Sequence, residues 1–280
     1  MDGPAGDFER DTAVEGAGGR YRANLSDAWE LWGPAGGYVS AIALRAAGAH
    51  SRFAKPASYS CNYLGVARFE PVEIAVATLN TARRSEVVRV SMFQDGKPFL
   101  DATVWTIDEG MRGFEYDGAP MPELPGPDGL VAWRDVSPPP PTFRRFWSNV
   151  EERMIGPVFE RWEDRVPGSP IREGWCRFRP EATFDDPFLD AARSLLVIDT
   201  MGWPAFMASQ TGVPPYFAPT IELSVRFHRP GNHSEWLLGV TTAPIAADAL
   251  IGSTAHVWAQ DGALVATGGQ TMLCRPAPSP

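Results

Sequence analysis

The sequence predicts an α+β protein built from two tandem copies of one unit, a long helix followed by a set of antiparallel strands. Three observations predict it. The same order of elements occurs twice in 280 residues, each copy closes its last hairpin on Asp-Gly, and a proline-dense stretch separates the copies. The first copy spans 1–115, the connecting segment 116–142 and the second copy 143–280. The two hairpins fall at Asp95-Gly96 and Asp261-Gly262, and this dipeptide suits a two-residue type I′ turn. Between them, 118–141 holds eight prolines, four of them consecutive at Pro138 to Pro141. No central strand tolerates such a stretch, so it reads as an extended linker.

Each element can be justified in order. Residues 8–14 and 21–25 form a plausible strand pair. Gly36-Gly37 opens a helix over 38–49 that is rich in Ala, Leu and Ile. Strands are expected at 57–68, 72–82, 85–94 and 98–107. In the second copy 149–155 and 175–179 repeat the strand pair, although 143–165 also reads as helix. Asp186 is a good N-cap and Pro187 fits the first helical position. That helix runs through Leu189, Ala192, Leu195, Leu196 and Asp199, and Pro204 is expected to limit its end. Strands follow at 218–229, 235–242, 251–260 and 264–274. Along 220–228, Ile221, Leu223, Val225 and Phe227 alternate with Thr220, Glu222, Ser224, Arg226 and His228, which assigns the two sets to opposite faces. A long helix wrapped by a strongly bent antiparallel sheet is the hot-dog arrangement, and two in one chain make a double hot dog.

Composition removes several function classes. With 25 Lys and Arg against 34 Asp and Glu the net charge is −9, which excludes a general nucleic-acid binder. No stretch approaches the ~18 apolar residues of a membrane helix, and the acidic start shows no secretory pattern. The three cysteines, Cys61, Cys176 and Cys274, are widely spaced and read as reduced thiols of a cytoplasmic protein, neither a disulfide framework nor a zinc site. The N-x-S triplets at Asn24 and Asn232 are then chance matches. No cofactor and no metal are expected: P-loop, dinucleotide fingerprint, H-E-x-x-H and G-x-S-x-G motifs are all missing. The four histidines are His50, His228, His233 and His256. None lies in the second helix, and His50 falls at the far end of the first. His228, eight residues beyond Thr220 on a strand rising ~3.3 Å per residue, lies some ~26 Å from it and reads as structural.

Asp199 is the hardest residue to explain as scaffold. On a helix it shares a face with Leu195, Leu196, Gly202 and Trp203, the face the sheet should cover. A buried carboxylate is costly unless paired, and burial together with a place in the last helical turn should raise its pKa. Such a group is a candidate general base. A hydrogen-bonded structural aspartate, or one exposed at the helix end, accounts for the same pattern.

The second copy resembles the acyl-CoA thioesterase II (TesB-like) double hot-dog family. The resemblance rests on Asp199, on Ala218-Pro219-Thr220-Ile221 leading into Phe227-His228-Arg229-Pro230, and on Glu235-Trp236-Leu237-Leu238. Asp261-Gly262, Leu264-Val265-Ala266 and Gln270 complete it, with Gly33-Pro34-Ala35-Gly36-Gly37-Tyr38 a looser match in the first copy. It implies hydrolysis of acyl-CoA to free acid and CoA, without a covalent intermediate, by a water that Asp199, Thr220 and Gln270 hold. The N–H groups of Gly36 and Gly37 are assigned to the oxyanion; close packing explains the same glycines. Tyr38 departs from the polar residue common after the glycine pair, which leaves the acyl pocket undefined. Aligning the copies sets Trp105 opposite Gln270 and Ser58 opposite Thr220, so one active site per chain is expected. Coenzyme A needs local positive charge, for which Arg83-Arg84, Arg144-Arg145, Arg226 and Arg229 are candidates. A homo-oligomer is expected from the exposed sheet. A non-catalytic acyl or acyl-CoA binding protein, and a hydratase or dehydratase on the same fold, are the alternatives.

Overall fold

The computed structural model describes residues 5–136, 144–156, 166–212 and 215–277. Pro138 to Pro141 therefore lie outside the described residues, as does much of 143–165. The first copy opens on a short helix α1 (Phe8–Asp11) rather than the expected strand, because Asp7 caps it by accepting from Arg10 N. A hairpin of β1 (Glu15–Ala17) and β2 (Arg20–Asn24) follows, then the central helix α2 (Gly36–His50). Four strands complete the copy: β3 (Lys55–Tyr63), β4 (Pro71–Thr81), β5 (Ser85–Gln94) and β6 (Lys97–Ile107).

The second copy repeats this order. Two short helices, α3 (Trp133–Val136) and α4 (Arg144–Asn149), precede β7 (Val150–Ile155), β8 (Ile171–Phe178) and the central helix α5 (Pro187–Met207). Asp186 caps α5 by accepting from Phe188 N and Leu189 N. Pro204 does not end α5, which continues to Met207 with Ala205 and Met207 buried. Tertiary packing of this last turn outweighs the one hydrogen bond the proline removes. Then come β9 (Tyr216–Phe217), β10 (Thr220–Phe227), β11 (Leu237–Ala247), β12 (Leu250–Ala259), β13 (Leu264–Leu273) and β14 (Arg275–Pro276). The first Asp-Gly hairpin has the expected two left-handed residues, Asp95 at φ 50° and Gly96 at φ 70°. At the second only Gly262 is left-handed, and Ala259 N bonds Ala263 O across a wider loop.

All but two strands belong to one twelve-stranded antiparallel sheet, joined between the copies by β3 and β10. The two central helices lie inside its curve and cross antiparallel. Gly37 near the start of α2 meets Leu196 in the middle of α5, while Gly48 near the end of α2 meets Phe188 at the start of α5. A β-carbon on Gly37 would fall 2.6 Å from Leu196 Cα, so the backbones touch only because that residue is glycine. One core runs through both copies, from Phe8 and Trp29 to Ala266. Asn149, fully buried, clamps the copies by donating to Ala28 O and accepting from Gly6 N.

The connecting segment is no free spacer. Its residues Met121, Leu124 and Leu130 pack on an outer cluster of Trp175, Trp236, Leu238 and Trp258. Both indole N–H groups of Trp175 and Trp258 donate to its carbonyls, at Pro125 and Ala119. Prolines suit this role: the segment needs no strand partner of its own and offers carbonyls to the tryptophans.

Candidate active site

Asp199 lies eight residues before the end of α5, not in its last turn. The face predicted for it is the one observed: Leu195 and Leu196 are buried, and Gly202 and Trp203 continue the stripe. Its carboxylate points at the start of α2. Oδ2 accepts from Gly37 N at 2.7 Å and Oδ1 accepts from Thr220 Oγ1 at 2.9 Å. The residue is half-buried, and desolvation of its carboxylate by the surrounding protein raises its pKa. The Gly37 and Thr220 bonds act in the other direction and do not cancel the burial. The helix-end dipole invoked from the sequence plays no part, since that effect is confined to the terminal turn.

Thr220 reaches Asp199 because β10 does not alternate regularly. Thr220 pairs with Met272 and Glu222 with Thr271, so Ile221 is an extra residue in a β-bulge. Strict alternation would turn Thr220 outward with Glu222 and Ser224. The bulge sets it instead on the inner face with Leu223 and Val225, toward α5. Glu222 stays outward, bonded by Ser224 and Thr271, and does not share Thr220's face as alternation predicted. Gln270, buried on β13, completes the cluster with Oε1 3.1 Å from Thr220 Oγ1. Gly202 makes the room: a β-carbon there would lie 1.8 Å from Gln270 Nε2. The three residues singled out from the sequence thus converge on one point, with Gly37.

Gly36 also borders it. Its absent β-carbon would sit 3.0 Å from both Asp199 Oδ2 and the Tyr63 hydroxyl, so both groups border that glycine. Tyr63 is held by Ser40 at 2.6 Å. Sequence reasoning missed Tyr63 and Ser40; the available signal was the period-two run Tyr59, Cys61, Tyr63 opposite Ser40 on the small-residue helix. Tyr38 turns away from the site into its own copy, stacked on Trp29 and donating to Asp11 O.

The first copy has the same bulge, between Pro56 and Ser58, but its counterparts differ from those expected. Matching the bulges sets Pro56 at the place of Thr220 and Val104 at the place of Gln270, whereas Ser58 and Trp105 match the outward Glu222 and Thr271. Neither proline nor valine offers a hydrogen bond to a water. His228 bonds Thr267 beyond the end of β10. Of the arginines proposed for CoA, Arg84, Arg145 and Arg229 are engaged by Asp108, Asp27 and Asp117. The side chain of Arg144 lies outside the description. A different arginine group stands at the β7–β8 edge. There burial opposes ionisation of Glu151, but Arg177, Arg179 and Arg153 outweigh it and bring its pKa down to about 2. The Phe227-His228-Arg229-Pro230 segment leads into a loop locked from α5: Arg193, fully buried, donates to Gly231 O and Ser234 O and pairs with Asp190.

Among the described residues no group of three His, Cys, Asp or Glu could hold a metal ion, and no helix is long and apolar enough to cross a membrane.

Comparison with known proteins places this architecture. A protein of unknown function with a hot-dog fold from Alicyclobacillus acidocaldarius superposes with a TM-score of 0.81 at 24% identity, over 97% of this chain and 98% of the other. The acyl-CoA thioesterase II TesB2 of Mycobacterium marinum superposes at 0.75 with 18% identity, over 97% and 99%. The tesB protein of Mycobacterium avium subs paratuberculosis does so at 0.74 with 23% identity, over 96% and 98%. At these identities the likeness establishes the double hot-dog fold. No curated protein matches the chain. The family profiles carry the assignment further. That of the acyl-CoA thioesterase N-terminal domain matches residues 25–107, and that of the C-terminal domain matches 118–274, the half that holds Asp199, Thr220 and Gln270. The chain therefore belongs to the acyl-CoA thioesterase family, as a thioester hydrolase.

Proposed function

We propose that this protein hydrolyses acyl-CoA to a free acid and CoA by direct attack of a water that Asp199, Thr220 and Gln270 hold. The observation that carries the reading is the raised, half-buried Asp199 bonded to Thr220, which Gln270 in turn contacts. Asp199 accepts a proton from the water as its oxygen bonds to the thioester carbonyl carbon. The carbonyl electrons move to oxygen, then return as the carbon–sulfur bond breaks. The departing thiolate takes back the proton. Fixing the water before attack supplies a large part of the rate, because its orientation is already set.

Gly37 N–H is spent on Asp199, so its role in this scheme is to fix the base. For the oxyanion we assign Gly36 N–H, in a helical first turn where N–H groups lack intrahelical partners, and the Tyr63 hydroxyl beside it. The first copy, with Pro56 and Val104, supplies walls and donors and no second base. The acyl length is a separate question that the same assay answers, and the same acyl groups presented on a carrier protein decide between the two carriers. A series of short to long acyl-CoAs, with free thiol followed by colour, should show turnover by the wild type. In Thr220→Val the rate should fall at least tenfold with the fold retained. Full activity in Thr220→Val would remove the water-holding scheme.

A further inference from the structure

We propose that Ser40 is a positioning residue for this site, donating its hydroxyl proton to Tyr63 so that the Tyr63 proton stays free for the oxyanion. The inference rests on the hydrolytic reading above, in which Tyr63 and Gly36 N–H receive the carbonyl oxygen. Ser40 sits one turn into α2 and is fully buried. A hydroxyl inside a helix commonly bonds back to the carbonyl four residues earlier, as Thr200 on α5 does to Leu196 O at 2.6 Å. Among the described residues the Ser40 hydroxyl has two partners instead, both on β3: the Tyr63 hydroxyl at 2.6 Å and Cys61 Sγ at 3.6 Å.

Two hydroxyls at that distance share one proton, and the other proton is left for a third group. Which of them donates is set by what surrounds them. For its own proton Ser40 has the Tyr63 oxygen, a good acceptor, or the Cys61 sulfur, a weak one. Tyr59, the other hydroxyl of this β3 face, is buried without a hydrogen-bond partner and does not compete. The Tyr63 proton has a stronger pull on its far side. Asp199 Oδ2 and the Tyr63 hydroxyl both lie 3.0 Å from the place of the absent Gly36 β-carbon. A carboxylate so near turns the hydroxyl with its hydrogen toward the charge and its oxygen toward Ser40. Burial, with Cys61 and Asp199 adding to it, holds the phenol well above its usual pKa, so the proton is there to be aimed.

Donation then runs from Cys61 to Ser40 to Tyr63 and on toward Gly36. Burial pushes the Cys61 thiol up to about 11, so its S–H is kept and can donate weakly to Ser40 Oγ. When water attacks, Asp199 takes up a proton and loses its charge while the carbonyl oxygen gains one. The Tyr63 proton already points to the side where that charge develops, and no group has to turn during the reaction. With the bond reversed, Tyr63 would donate to Ser40 and present lone pairs to the oxyanion, a repulsive contact in the transition state. The first copy, with Pro56 and Val104 in place of Thr220 and Gln270, thereby supplies both the donors and the residue that aims one of them.

The test compares Ser40→Ala, Tyr63→Phe and the double variant with the wild type on acyl-CoAs. Tyr63→Phe should lower kcat about a hundredfold, the loss of one oxyanion donor. Ser40→Ala should lower it about tenfold with KM unchanged, because the donor stays and only its aim is lost. In the Tyr63→Phe background Ser40→Ala should cost nothing further, since the two act through one group. A readout independent of turnover is the Cζ carbon-13 signal of ring-labelled tyrosine. The chain has six tyrosines, and Tyr63→Phe identifies the signal that matters. Donating a hydrogen bond draws a phenol toward its phenolate form, and accepting one draws it away. Ser40→Ala should therefore move the Tyr63 signal toward the phenolate position. In an active enzyme, a shift the other way, no shift, full turnover in Tyr63→Phe, or a further tenfold loss on adding Ser40→Ala to it would each overturn the proposal. A wild type inactive on every acyl-CoA would instead sink the hydrolytic scheme and the role of Ser40 in it, even where the signal moves as expected.

Discussion

An ionised Asp199 works against folding at neutral pH. Burial raises its folded pKa above the ordinary 3.8, so the protonated form is the one the fold prefers. Its stabilising contribution is full below about pH 3.8 and is lost as pH rises through the folded value. Asparagine can keep both local bonds, accepting from Gly37 N–H and donating to Thr220, without a buried charge. Asp199→Asn should therefore melt above the wild type at pH 7, by a margin that shrinks toward pH 4. A variant that melts lower at pH 7 would mean the carboxylate is a structural partner whose charge the fold needs. This residue was legible from its apolar helical face and from family resemblance. The cause of its shift was only half legible, because the sequence did not show that α5 runs on past Pro204.

At the level of elements, the site depends on two glycines that do opposite things. Gly37 lets α2 and α5 touch backbone to backbone, and a β-carbon would strike Leu196 Cα. Gly37→Ala must part the helices, and a loss of ~1–3 kcal/mol is expected in denaturant melts, as for other overpacked cores. At Gly202 the β-carbon would strike the end of a side chain, Gln270 Nε2, which can move. Alanine is favoured over glycine in a helix by ~1 kcal/mol, so Gly202→Ala should keep stability and lose activity by displacing that amide. A stable Gly202→Ala with full turnover would show that Gln270 does not need this position. Most strands were legible because their period-two pattern is strong, though β3 stops at Tyr63 where 57–68 was expected, β11 runs on to Ala247 where 235–242 was expected, and 8–14 begins as a helix. The bulge at Ile221 was not: one extra residue leaves the local pattern intact and merely reverses the face of Thr220. The same limit misassigned Trp105 and Ser58, which a one-residue offset moved to the wrong side of the sheet.

For the whole molecule, the repeat read from the Asp-Gly hairpins and the prolines is real, but the copies are not independent bodies. They share the β3–β10 junction, the α2–α5 crossing and a single core, and the connecting segment roofs Trp175 and Trp258. Heat should therefore unfold the chain in one cooperative transition by calorimetry; two separated transitions would show that each copy holds itself together. These long-range joins left no local mark in the sequence, since pairing between β3 and β10 depends on residues about 160 positions apart. Of the arginines first offered for CoA, Arg84, Arg145 and Arg229 are engaged with nearby carboxylates. The central claim is that Asp199 activates water against an acyl-CoA thioester. The direct measurement is thiol release from a panel of acyl-CoAs by wild type and Asp199→Asn side by side. The wild type should turn over at least one chain length, and the variant should fall by about a hundredfold or more, the usual share of a general base. Equal rates for the two proteins would contradict it.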